Sequence, residues 1–215
     1  MDLIFKSQMR ILVLAPHTDD GEFGCGGCIS RLVEEEHEVT YIAFSAAEKS
    51  LPVEWPPETL RKEVKEATKI LGICCDNVLT LDYPVREFPQ HRQAILDDML
   101  RFKNKFEPDL IFLPSINDTH QDHRVIAEEG FRAFKTISML GYELPWNNLT
   151  FNTNFFVFLN ERHICKKVQA LDCYKSQHNR PYASEQFIRS LAHTRGTQIG
   201  STYAEVFESV RWVWR

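Results

Sequence analysis

"ILVLAPHTDDGEFGCGG", residues 11–27, decides how the rest of the chain is read. Its first five residues are apolar and stop at Pro16, the pattern of a short strand buried on both faces. His17, Thr18, Asp19 and Asp20 then set an imidazole and two adjacent carboxylates at the strand's mouth, ahead of a run of glycines. Similar apolar runs recur at 39–44, 78–81 and 110–113. Between them the apolar residues repeat at helical spacing. Leu60, Val64, Ala67 and Leu71 share one face and stop at Gly72; Ile95, Met99, Phe102 and Phe106 share another before Pro108. A shorter helix is expected over about 26–36. This alternation predicts an α/β fold, a three-layer, Rossmann-like, doubly wound and mostly parallel sheet with a small C-terminal extension.

Residues 1–140 read as the Rossmann-like, metal-binding core. Residues 141–215 read as a C-terminal portion that completes the same domain and its pocket, with a strand at 155–159 and a helix over 161–176. Two irregular stretches stand out. The first, 45–58, carries three prolines and Trp55 and leaves the carboxyl end of a strand, where ligands bind in such sheets. The second, 141–154, reads as a link to the C-terminal portion.

At 215 residues the chain suits one domain with a sizeable core, and its 43% hydrophobic and 26% charged composition is that of an ordinary globular protein. A net charge of -5 with no Lys/Arg run argues against a nucleic-acid partner. The opening "MDLIFKSQMR" holds three consecutive apolar residues, too few for a signal-peptide core, and no stretch is long enough to span a membrane. The triplets at Asn117 and Asn148 match a glycosylation acceptor and are read as silent. Six cysteines include the adjacent pair Cys74 and Cys75, which suits buried thiols in a reducing, cytoplasmic setting better than a disulfide framework.

Two neighbouring aspartates repel each other when ionised, and a divalent cation removes that penalty. Imidazole and carboxylate are ordinary zinc ligands, three of them leaving a position for water in a catalytic site. The plainer reading is that His17 and the two aspartates cap the following helix, Asp and Thr being good caps. The glycines run G-x-x-G-x-G-G, unlike the G-x-G-x-x-G of a dinucleotide loop, which disfavours a nicotinamide or flavin enzyme. Cys25 and Cys28 form a lone C-x-x-C, read as small buried residues rather than a redox pair or zinc site. A second cluster, His120, Asp122 and His123, follows the strand at 110–113. If the first and fourth strands lie side by side, His17, Asp20 and one of these histidines can share an ion.

"PHTDDGEFGCGG" and "HQDHR", with "YKSQ" and "YAEVFESVRW" further on, resemble the LmbE/PIG-L-like zinc-dependent N-deacetylases over nearly the full length. The resemblance implies His17, Asp20 and His123 as zinc ligands, Asp19 as general base, and His120 as the group that polarises the substrate carbonyl and helps protonate the leaving amine. Asp122 is implied as the partner that orients His120. It further implies Zn2+, with Fe2+ suited to the same donors, an N-acetylglucosamine-type sugar or conjugate as substrate, and assembly into a trimer or hexamer. Two departures mark this chain: Gly21 stands where many members have Glu, and Arg61 precedes Glu63 by two positions where the family spacing is three. Arg61 is the implied substrate-binding residue. Trp55 is the expected stacking surface for a sugar, with Trp146 and residues 176–182 as further rim candidates. The rival readings are an esterase or amidase using the same metal, and a metal- or sugar-binding protein without catalysis; an intact Asp19 speaks against the second.

Overall fold

A computed structural model describes residues 8–178 and 180–214, so the expectation for the first seven residues, and the rim position Asn179, lie outside it. Among the described residues seven strands form one sheet in the order β3-β2-β1-β4-β5-β7-β6. These are β1 (Arg10–Ala15), β2 (Glu38–Ala43), β3 (Val78–Thr80), β4 (Leu110–Pro114), β5 (Ser138–Tyr142), β6 (Phe155–Leu159) and β7 (Tyr203–Arg211). The first five run parallel; β7 is antiparallel to β5, and β6 is antiparallel to β7. Helices α1 (Asp20–Glu34), α2 (Thr59–Leu71), α3 (Arg92–Phe106), α4 (Gln121–Ala133), α5 (Glu161–Leu171) and α6 (Glu185–Thr197) complete the three-layer architecture expected from the alternating pattern.

The strand period of two divides the core between the two faces. Ile11, Val13 and Ala15 of β1 join one cluster with Leu60, Val64, Ala67 and Leu71 of α2 and with Ile164 and Val168 of α5. Leu12 and Leu14 join the other with Ile95, Met99 and Phe102 of α3 and Val125 and Ile126 of α4. Each of the larger side chains among these, Val, Leu, Ile, Met or Phe, contributes roughly 1.5–3 kcal/mol when fully buried. Helix α2 ends at Gly72, whose φ of 94° is left-handed, so the predicted stop is a glycine cap. Strand β5 went unread because Ser138 and Gly141 dilute its apolar signal, and it takes the first two residues of the expected linker. Helix α5 ends at Leu171, short of the expected 176, and a 3-10 turn over Lys175–Gln177 follows.

Helix α1 starts earlier than expected and explains why. It is broken at Cys25, where φ is −144° and ψ 21°. Beyond the break, Gly27 N and Cys28 N donate to the Glu205 carboxylate at 2.9 and 2.6 Å, so a residue from β7 caps the second half. Lys167 of α5 bridges the break, donating to Glu205 and to Phe23 O at 2.6 Å each. The expected start near Gly26 matches that second half. The first half exists because Gly24 carries no side chain: a Cβ there would overlap the Tyr142 ring of β5. Cys25 and Cys28 are buried as expected, and burial pushes both thiols well above their ordinary range. Cys74 and Cys75, expected to be buried, are exposed, because they lie on the turn between α2 and β3 rather than on an inward face.

Candidate metal centre

Strand β1 is flanked by β2 and β4, so the chain leaves it in opposite directions for its two neighbours and a crevice opens at the carboxyl ends. The pairing Val13 to Phe112 places the ends of β1 and β4 side by side. His17, Asp19 and Asp20 come from the β1–α1 junction; His120 and His123 come from the start of α4. The aspartates do not serve as simple caps. Asp19 occupies the cap position of α1, yet its carboxylate makes no capping bond among the described residues. Asp20 instead turns back to accept from His17 N at 2.8 Å.

Three atoms converge. Asp20 Oδ2 lies 3.0 Å from His17 Nδ1 and 3.2 Å from His123 Nε2, and the two ring nitrogens are 3.3 Å apart. Three ligands of a tetrahedral zinc, each about 2.0–2.1 Å from the ion, stand about 3.3 Å from one another. The triangle therefore fits a small divalent cation with one face open. The other nitrogen of each ring is held by a carboxylate: His17 Nε2 by Asp122 Oδ2 at 3.0 Å, His123 Nδ1 by Asp118 Oδ2 at 2.8 Å. Carboxylates in that position set the tautomer and raise the basicity of metal-binding imidazoles. His120 completes a wider group, its ligand atom within 4.8 Å of those of His17 and His123, with its ring stacked on His123 at 4.5 Å. Asp20 and His120 are thus both placed to supply a third ligand beside His17 and His123.

Charge follows the geometry. Burial pushes the Asp20 carboxyl up, but His123 and His17 outweigh it and hold it well below the usual carboxylate range. Burial pulls His123 down, yet Asp20 and Asp118 raise it to about 10; His17 is raised in the same way by Asp20 and Asp122. Three buried carboxylates, Asp20, Asp118 and Asp122, thus gather protons onto the imidazoles, and a divalent cation would take their place. Asp19 is shifted up, first by burial and then by Asp20, against the pull of Arg180, whose Nη1 lies 3.4 Å from its Oδ2. Burial and the nearby His123 and His17 lower His120 to about 4, so its ring is neutral. His120 Nδ1 accepts from Asp122 N at 3.2 Å, which leaves the proton on Nε2.

The loop itself rests on a buried carboxyl. Glu22 takes Tyr41 Oη and, at 2.9 Å, Tyr174 Oη; the same hydroxyls reach Thr18 O at 2.9 and 2.7 Å. Burial raises Glu22 to about 8. Tyr174 belongs to the quoted "YKSQ", and Ser176 of that run donates to Glu63 through N and Oγ. The run that supplies Gln177 and Arg180 is thereby tied to α2.

Above the triangle is a cleft of ≈ 400 Å³. It is lined by Ala47, Ser50, Leu60, Val85 and Arg86 and by Trp146, Asn147, Gln177, Arg180 and Tyr182. Trp146 and Tyr182 stack at 3.9 Å with planes 9° apart, and Phe23 meets both edge-on. Of the rim candidates, Trp146 and, from the 176–182 stretch, Gln177, Arg180 and Tyr182 line the cleft. Two other candidates do not. Arg61 is turned away to Asp82, Glu48 and Thr80 O, in a neighbouring depression, because those oxygens are nearer than the cleft floor. Trp55 is half-buried and lies outside the cleft lining, since the 45–58 stretch folds against the wall through Ala47 and Ser50 instead. Asp122 also departs from expectation: its carboxylate orients His17 rather than His120, because only its amide faces the His120 ring. Asp118 was missed as a functional residue. Its signal was the string Asp118-x-His120-x-Asp122-His123, which places acids beside both histidines.

The chain is 28% identical to the "uncharacterized deacetylase YaiS" of Escherichia coli, over 77% of this chain and 90% of that one. It is 24% identical to the diacetylchitobiose deacetylase of Thermococcus kodakarensis, covering 94% of this chain and 83% of that one. The crystal structure of the conserved protein TT1542 from Thermus thermophilus superposes with a TM-score of 0.78 at 26% identity, over 96% and 97% of the two chains. The family model described as "PIG-L: GlcNAc-PI de-N-acetylase" matches residues 12–134, more than half of the 215, and includes both histidine clusters. On this match and on the geometry it encloses, the chain belongs to the PIG-L family of N-deacetylases.

Proposed function

We propose that the protein is a zinc-dependent hydrolase that removes the N-acetyl group from an N-acetylglucosamine-type amino sugar or its conjugate. The observation that carries this reading is the His17–Asp20–His123 triangle with the Asp19 carboxylate beside it in an open cleft. His17, Asp20 and His123 would hold the ion. When bound, it supplies Lewis acidity and makes neighbouring water more acidic.

Asp19 accepts the proton of the attacking water. Its upward shift suits this, because a base works best when its pKa approaches the working pH. His120 offers Nε2–H to the carbonyl oxygen as negative charge develops there, the kind of fixed donor that commonly supplies the largest single rate term. A neutral ring whose Nδ1 is already accepting is a poor proton source. The leaving amine therefore takes its proton from Asp19, which returns what it received. Asp122 and Asp118 keep the two ligand rings in place, and Arg180 steadies the Asp19 carboxylate. The stacked Trp146–Tyr182 pair gives one cleft wall a flat apolar surface suited to a sugar face.

The test is acetate release from a panel of N-acetylated sugars by the zinc-loaded protein, before and after chelation. Release that stops with chelator and returns with metal supports the reading. Bound metal with no release from any N-acetyl substrate overturns it.

A further inference from the structure

We propose that Arg86 is a specificity residue of this cleft, receiving an anionic substituent, phosphate or carboxylate, carried by the N-acylated substrate. The inference rests on the reading of the site as a deacetylase. Arg86 lies between β3 and α3 on the cleft wall, next to Val85. Its Nη2 donates to two neutral oxygens, Ser50 Oγ at 3.0 Å and Lys49 O at 3.4 Å. No carboxylate among the described residues pairs with it. The contrast with its neighbours is direct. Arg180, which also lines the cleft, is paired with Asp19, and Arg61 with Asp82 and Glu48. The adjacent acid, Glu87, is taken by Lys49. In a chain with 30 acidic and 25 basic side chains, a guanidinium left with neutral partners on a binding wall is available to a ligand. It keeps unused donors in a fork that matches an oxyanion.

The backbone points the same way. Arg86 has a φ of 69°, a left-handed conformation uncommon outside glycine, and such outliers gather at functional sites. It is held there by Asp122, whose Oδ2 accepts Arg86 N at 2.6 Å while Oδ1 accepts Phe88 N at 3.3 Å. The same carboxylate holds His17. One side chain therefore sets both a metal ligand and the position of the unpaired guanidinium. Of the two arginines that line the cleft, Arg180 is paired with Asp19, so Arg86 is the one left to meet an anionic group on the substrate.

The experiment compares kcat/KM of the zinc-loaded enzyme for N-acetylglucosamine, its 1- and 6-phosphates, and N-acetylmuramic acid. The phosphate and carboxylate arms separate the two anion sources. The expected ratio of the best anionic to the neutral substrate is about 10–100, the size of a charged hydrogen bond, and resides in KM. Arg86→Gln brings that ratio toward one and Arg86→Lys leaves it between. Raising the salt concentration on the unmutated enzyme lowers it as well, a readout that needs no variant. A purely structural role depresses both substrates together and leaves the ratio unchanged. A ratio near one in the parent, or one untouched by Arg86→Gln, overturns the proposal. Equilibrium binding of the same sugars separates this from the wider reading. Anion-selective binding lost in Arg86→Gln, with no acetate released from any sugar, removes the deacetylase and keeps Arg86; neutral and anionic sugars hydrolysed alike remove Arg86 alone.

Discussion

Replacing Asp118 by Asn tests the support of the metal centre with almost no change in shape. The carboxylate uses both oxygens: Oδ2 faces His123 Nδ1 at 2.8 Å and Oδ1 accepts His120 N at 2.8 Å. If His123 ligates the ion through Nε2, as proposed, Nδ1 carries a proton and must donate. An amide has one oxygen for these two donors, and its NH2 then confronts the other. Asp118 and His123 are each 2% exposed, so water cannot relieve the conflict. Leaving a buried donor unsatisfied costs about 1–3 kcal/mol. Loss of such a supporting partner typically weakens metal binding about 10–100-fold, or roughly 1.4–2.7 kcal/mol. The assay is competition for zinc against a chromophoric chelator, with circular dichroism to confirm the fold. Unchanged zinc affinity in a folded Asp118→Asn protein would refute the claim that this carboxylate holds His123 for the ion.

Further outcomes follow from the same geometry. Asp19→Asn keeps its zinc but loses turnover by about 10²–10⁴-fold, whereas His123→Ala loses the metal itself, as metal analysis and acetate release will show. Equal metal content and equal activity in the two variants would contradict both assignments. Zinc binding near neutral pH expels at least one proton: His123, raised to about 10 in the metal-free protein, is protonated there and must give that proton up to ligate. Calorimetry in two buffers of different ionisation enthalpy counts it, and a count of zero refutes the charge assignment. Glu205→Gln strips the counter-charge from Lys167, which is 6% exposed, and leaves the break in α1 with one acceptor oxygen for three donors. An uncompensated buried charge costs about 3–5 kcal/mol. At about 2–4 °C per kcal/mol for a chain of this size, melting falls by roughly 6–20 °C.

By itself the sequence determined the layered sheet, the helix faces and the two histidine-bearing turns. Those depend on short-range regularities: apolar runs of strand length, a helical repeat ended by Gly72 or Pro108, and polar residues gathered where a strand stops. Adjacent ends of β1 and β4 then brought His17, Asp20 and His123 within one ion's reach, as their position after two strands suggested. Only the tertiary structure decided which carboxylate serves which ring. Asp118 and Asp122 lie four residues apart around the start of α4, and no local rule says that the first faces His123 and the second faces His17. The same holds for Arg61 and Trp55, drawn away from the cleft by Asp82, Glu48 and the path of the 45–58 stretch. It holds also for the break at Cys25, which is capped by Glu205 from 177 or more residues further along. Periodicity reports which side of an element is apolar. The direction a polar side chain takes depends on donors and acceptors brought close by folding, and their separation along the chain carries no trace of it.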